Sequence, residues 1–348
     1  MRIIKTFAVL LAFALAFSLA SCGISGGESG DTSSQVSQTA SEPEVSEPSQ
    51  QSEPEAESSE DVQTGGSINI VVLGDSIARG YGLADYEHER YSALLADMLK
   101  ERYDEVNIAN YGIDGQTGRE LADSLASDPP AELANADVVI VSIGGNNVLT
   151  RLSELFSVSD MFNENTANAL KEYFANMLAA DAAGKSKFES AASLLNDILK
   201  KVDSAFEGEE FASLISDAAS RLREELPAIV SAVKNAGAKR VIVQTIYNPY
   251  YDIIINLRGV ETTLDLAARG EESVSELNRV ISELAQSAGY ETVNIHDAFS
   301  ESLDKLTNAG IDLTSAAAGL PLNFGVDPHP NAEGHKLIAE LIKEKLLG

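Results

Sequence analysis

From Ser67 onward, short apolar runs alternate with amphipathic segments. The runs are residues 68–73 (INIVVL), 106–110, 137–142 (DVVIVS), 240–245 (RVIVQT) and 292–295. Each is rich in Val and Ile and bounded by polar residues or Gly, the pattern of strands buried on both faces. Between them, 91–103 carries Leu94, Leu95, Met98 and Leu99 at helical spacing, and 273–287 carries Leu277, Val280, Ile281 and Leu284. Such alternation predicts an α/β fold of about five parallel strands with helices on both faces. Right-handed crossovers then place a ligand crevice at the C-terminal ends of the strands.

The gap between the third and fourth runs is long, about ninety residues. It contains three amphipathic patterns: Leu170, Tyr173, Phe174, Met177 and Leu178; then Leu194, Leu195, Ile198, Leu199, Val202 and Phe206; then Phe211, Leu214, Ile215, Ala218 and Leu222. Topology needs one crossover helix, so roughly 150–212 is expected to be an all-helical insertion. It serves either as extra packing or as a cap over the crevice.

The N-terminal pattern differs. Residues 1–22 place Arg2 and Lys5 before a fourteen-residue stretch, 7–20, that is apolar except for Ser18. A span needs roughly 20 apolar residues, so the stretch reads as the core of a signal peptide. It ends in Leu19-Ala20-Ser21-Cys22, which resembles a bacterial lipobox. That resemblance implies cleavage before Cys22, a lipid on its thiol and export, with the folded part facing outward or, in a Gram-negative envelope, the periplasm. Residues 23–66 are dominated by the run SEPEVSEPSQQSEPEAESSED, almost without large apolar residues, and hold ten acids and no Lys or Arg. Such a composition cannot offset its conformational entropy by burial, so a disordered acidic linker is expected. Gly23-Ile24-Ser25-Gly26-Gly27 fits G-x-S-x-G, but no strand precedes it and no helix follows, so it is not a nucleophile elbow.

Charge and cysteine count narrow the function classes. The chain has 25 Lys and Arg against 54 Asp and Glu, a formal net charge of −29, which argues against nucleic-acid binding. Its one cysteine can form neither an intramolecular disulfide nor a Cys-based metal site. None of the four histidines shows metal-ligand spacing, so no metal is expected.

Four short motifs fall where strands are predicted to end: Gly74-Asp75-Ser76; Asn110-Tyr111-Gly112-Ile113-Asp114-Gly115-Gln116-Thr117; Gly144-Gly145-Asn146-Asn147; and Asp327-Pro328-His329-Pro330-Asn331-Ala332-Glu333-Gly334-His335. Singly they are weak; in this order they resemble the SGNH (GDSL) hydrolases over essentially all of 67–348 outside the insertion. The resemblance implies a flavodoxin-like three-layer fold, no cofactor, Ser76 as nucleophile and His329 as general base. It further implies an oxyanion hole of the Ser76 and Gly115 N–H groups and the Asn146 amide. A serine hydroxyl needs a base to take its proton, and imidazole suits neutral pH.

Two positions depart from the family. Its last block usually has Asp three residues before His; here Val326 stands there and Asp327 stands two before. Either Asp327 orients the imidazole or a backbone carbonyl does. Its third block usually reads G-x-N-D; here Asn147 replaces the Asp, at what is expected to be a supporting position. His335 is expected to be structural, His88 to lie in a solvated loop and His296 to pack at a strand end. Tyr247, Tyr250 and Tyr251 are either core or a pocket wall.

The resulting expectation is a surface-anchored serine esterase acting on lipid, lysophospholipid or short-chain acyl esters, small or polymeric. The alternatives are a carbohydrate O-acetyl esterase and a degenerate ligand-binding lipoprotein. The oligomeric state is open.

Overall fold

The computed structural model describes residues 65–158, 204, 207–249, 253–257, 260–264, 266–300, 302, 306–312 and 323–348. The expected signal segment, Cys22 and all of the expected linker but Gly65 and Gly66 fall outside the described residues. In chain order the elements are β1 (Ser67–Gly74), α1 (Ser76–Arg79), α2 (Tyr86–Glu89), α3 (Tyr91–Leu99), β2 (Glu105–Gly112), α4 (Gly118–Ser127), a short 3₁₀ turn (Ala131–Asn135), β3 (Val138–Ser142) and α5 (Gly145–Val158). They continue with α6 (Glu209–Ala236), β4 (Arg240–Gln244), β5 (Ile253–Leu257), β6 (Val260–Leu264), α7 (Leu266–Ala288), β7 (Glu291–Val293), α8 (Ile295–Ser300), β8 (Thr307–Asp312), β9 (Asn323–Pro330) and α9 (Ala332–Leu347).

All five apolar runs are strands of one sheet, in the order β2-β1-β3-β4-β7 and parallel throughout. The alternation of side chains along β1 divides the core in two. Val71 and Leu73 pack on one face with Leu121 and Leu125 of α4, Leu222, Leu226 and Ile229 of α6, and Leu277 and Ile281 of α7. Ile70 and Val72 pack on the other with Tyr91, Leu95 and Leu99 of α3, Phe299 of α8, and Ile338 and Ile342 of α9. The fold is therefore three-layered α/β with the flavodoxin-like strand order. Its strand order reverses between β1 and β3, and the loops after those strands flank the crevice that α/β sheets use for ligands.

The third amphipathic pattern of the long gap, Phe211 to Leu222, is the first half of α6, a single helix of 28 residues that leads into β4 as the crossover helix. The first two patterns lie outside the described residues. One feature departs from the sequence expectation: two antiparallel ribbons, β5–β6 and β8–β9, stand beside the five-stranded sheet.

Candidate active site

Gly74 ends β1 at φ +149°, and a Cβ there would lie 2.1 Å from the Ser142 carbonyl oxygen of β3. Only glycine allows this approach, which lets the Asp75 N–H donate to Ser142 O at 3.1 Å. Asp75 then caps α1, its Oδ1 accepting from the Ile77 N–H at 3.0 Å. Ser76, the first residue of α1, is held at the mouth of the β1–β3 junction with only 8% of its surface exposed. His329, near the end of β9, reaches the same point: its Nε2 lies 2.8 Å from Ser76 Oγ, although the residues are 253 apart in sequence. The Tyr81 ring packs against the imidazole, centroids 4.6 Å apart.

The second and third motifs close over Ser76 from the side. Asn110 Nδ2 donates to Ala78 O at 2.7 Å, and Arg79 ion-pairs with Asp114, so the start and the middle of the second motif are tied to α1. Gly115 has φ +74° and open space where a Cβ would be, the left-handed conformation that other residues resist. Asn146 Nδ2 donates to Gln116 O at 3.1 Å and stands 3.4 Å from Asp75 Oδ2. The latter contact is long for a hydrogen bond. Asp327 lies on β9 two residues before His329; its side chain is outside the described residues.

Sequence reasoning overlooked Asp75. Its carboxyl is 3% exposed, and burial pushes its pKa up to about 6, against the opposing pull of the Ile77 N–H and His329. The available signal was its place as N-cap of the helix that begins with the serine. Tyr81 and Glu225 were also overlooked. Glu225 sits on the apolar stripe of α6 beside Leu222, Leu226 and Ile229, and a charge on such a stripe is itself informative.

The sequence matches the profile of the GDSL-like Lipase/Acylhydrolase family over residues 72–337. The chain belongs to that family. It is thus an ester hydrolase by family. No curated protein matches it closely enough to count as a relative. Among solved structures, it is similar to a lipase from a goat rumen metagenome, at 14% identity and TM-score 0.49, over 80% of this chain and 96% of that one. It is similar to phospholipase A1 from Streptomyces albidoflavus, at 16% identity and TM-score 0.48, over 80% and 100%. It is also similar to a catalytic mutant of an acetylxylan esterase from Geobacillus stearothermophilus, at 17% and 0.47, over 82% and 96%.

The other residues singled out in this GDSL-family chain fall away from Ser76. His335 is fully buried in α9, stacked near Tyr91, and its Nδ1 accepts from the Tyr91 N–H at 3.3 Å. Burial holds its pKa down at about 3, so it is a neutral structural acceptor. His296, the second residue of α8, bridges Asp297 and Glu271, linking α8 to α7. His88 belongs to the exposed helix α2, not a loop, and pairs with Asp85. Tyr247 is core, stacked on Phe299 at 4.4 Å; Tyr250 and Tyr251 lie outside the described residues.

Proposed function

We propose that the chain is a serine esterase anchored at the cell surface through Cys22, and that it cleaves lipid or short-chain acyl esters through an acyl-enzyme. The observation that carries the reaction is the 2.8 Å contact between Ser76 Oγ and His329 Nε2. In that arrangement the hydroxyl donates to a neutral imidazole. As Ser76 Oγ attacks the ester carbonyl carbon, its proton passes to Nε2 and the carbonyl oxygen becomes an oxyanion. The Ser76 and Gly115 N–H groups and the Asn146 amide are its donors; one such donor is typically worth ~10²–10³ in kcat. The imidazolium then returns the proton to the departing alkoxide. Water, deprotonated by the same nitrogen, attacks the acyl-enzyme and releases the acid and free Ser76.

Ile113 supports an apolar acyl or alcohol part. It is 54% exposed, two residues before Gly115, and its N–H donates to Gly74 O, which holds it at the rim of the crevice. The anchor rests on the position of the chain's single cysteine at the end of the signal segment.

The test is hydrolysis of a p-nitrophenyl ester series, acetate to palmitate, by the full chain in detergent beside Ser76→Ala. Turnover of at least one ester is expected, reduced by a factor of ~10³ or more in the variant. Cleavage confined to acetate, with release of acetate from acetylated polysaccharide, would move the substrate to carbohydrate. No turnover of any of these esters would leave a ligand-binding protein.

A further inference from the structure

The position that departs from the family's third block joins three elements. Asn147 is 6% exposed. Its Oδ1 accepts from the Gly118 N–H, the first of α4, at 3.0 Å, and its Nδ2 donates to Glu225 Oε2 of α6 at 2.8 Å. The preceding residue, Asn146, donates to Gln116 O at 3.1 Å. The two asparagines thus grip the second motif on either side of Thr117, directly after Gly115. Gly118 leaves room for the carboxylate, since a Cβ there would lie 2.4 Å from Glu225 Oε2.

We propose that Glu225 is a positioning residue for the reaction: through Asn147 it fixes the loop that presents the Gly115 N–H to the oxyanion. The inference rests on the oxyanion donors proposed above. Glu225 is 7% exposed and occupies a slot where Leu222, Leu226 and Ile229 continue the apolar face. A carboxylate there carries a desolvation cost that an apolar residue would avoid. It is retained at the one point where it meets the asparagine that holds Gly118. The positive end of the α4 dipole, at Gly118, offsets part of that cost. Without an acceptor, the Asn147 amide is free to turn over, and the Gly118 N–H then faces an NH₂ group instead of an oxygen. Small misplacements of preorganised groups are expensive in rate.

The experiment compares Glu225→Leu, Glu225→Gln and the exposed control Glu224→Ala in the full chain with a p-nitrophenyl ester. Active sites are counted by covalent labelling with a fluorophosphonate. Leu completes the apolar stripe but cannot accept the Asn147 N–H. We expect it to lower kcat per labelled site at least about tenfold, with KM within about twofold and a melting temperature at or above the parent's. Gln offers Oε1 to the same donor and is expected to stay within about threefold, as is the control. A Leu variant with parental kcat per labelled site would overturn the proposal, and so would a Gln variant as impaired as Leu. If the parent labels but turns over no ester, the esterase reading fails with this one. If the parent is active and only the variants disagree, this inference alone fails.

Discussion

Asp75 shares a peptide bond with the proposed nucleophile, yet burial raises its pKa to about 6 from 3.8. A carboxyl whose folded pKa lies above its unfolded one binds more protons folded than unfolded. Its contribution therefore falls as pH rises from about 4 to about 6, by on the order of 3 kcal/mol, and stays lost above. His335 acts in the opposite sense. Its folded pKa of about 3 lies below the ordinary 6.5, so its contribution is complete above about 6.5 and is lost as pH falls. The two overlap, so the parent's stability curve alone does not separate them; a variant does. In Asp75→Asn, Oδ1 still caps Ile77, but no charge is buried. We expect its melting temperature to exceed the parent's by a few degrees at pH 8 and to converge with it near pH 4. Activity moves the other way: the carboxylate beside the Asn146 amide is gone, and kcat is expected to fall about tenfold. Equal melting temperatures at pH 8 would mean that Asp75 carries no buried charge.

At the scale of elements, what could be read in advance depended on burial. The central strands β1 and β3 are covered on both faces, so they appear as unbroken runs such as INIVVL and VVIVS. Three of the four ribbon strands are different: β6 is VETTL, β8 is TNAGID and β9 is NFGVDPHP, with no sustained apolar period, while β5, IIINL, is an apolar run that the sequence reading passed over. They are defined by pairing with another strand, and pairing leaves little trace in a single sequence. The four motifs were legible because chemistry restricts their residue types. The pairing of Ser76 with His329, 253 residues apart, followed from the resemblance, whereas the tie from Asn147 to Glu225, 78 residues away and outside the motifs, was not legible. β9 also bears on Asp327. Asp327 stands two residues before His329 on that strand, and the sequence reading leaves it as one candidate to orient the imidazole. If it does so, Asp327→Asn should lower kcat at least ~10²-fold with KM little changed. Activity within about threefold of the parent would assign that role to another group.

For the whole molecule, the proposed anchor raises the question of what could hold it at a membrane. Residues 23–66 carry −10 and residues 1–22 carry +2, so residues 67–348 hold 44 acids against 23 bases, or −21. Attraction to anionic lipid is worth about 1 kcal/mol per basic residue at the surface, and here the balance has the opposite sign. Among the described residues no helix is long and apolar enough to cross a bilayer. In the proposed reading attachment falls to Cys22, where each buried methylene would contribute about 0.8 kcal/mol and two acyl chains would suffice for stable anchoring. Substituting Cys22 alone is a poor test, because a signal segment left uncleaved would hold the chain by its own apolar core. The cleaner comparison is a chain begun at Gly23 against the exported one. The exported chain should pellet with membranes and show a diacylglyceryl-modified Cys22 by mass spectrometry of its N-terminus. The Gly23 chain should stay in solution with neutral and anionic vesicles alike, and hydrolyse a soluble ester within about twofold of the exported chain's rate. Pelleting of the Gly23 chain with vesicles would mean that the folded domain has a membrane contact of its own. An unmodified Cys22 in the exported chain would remove the anchor.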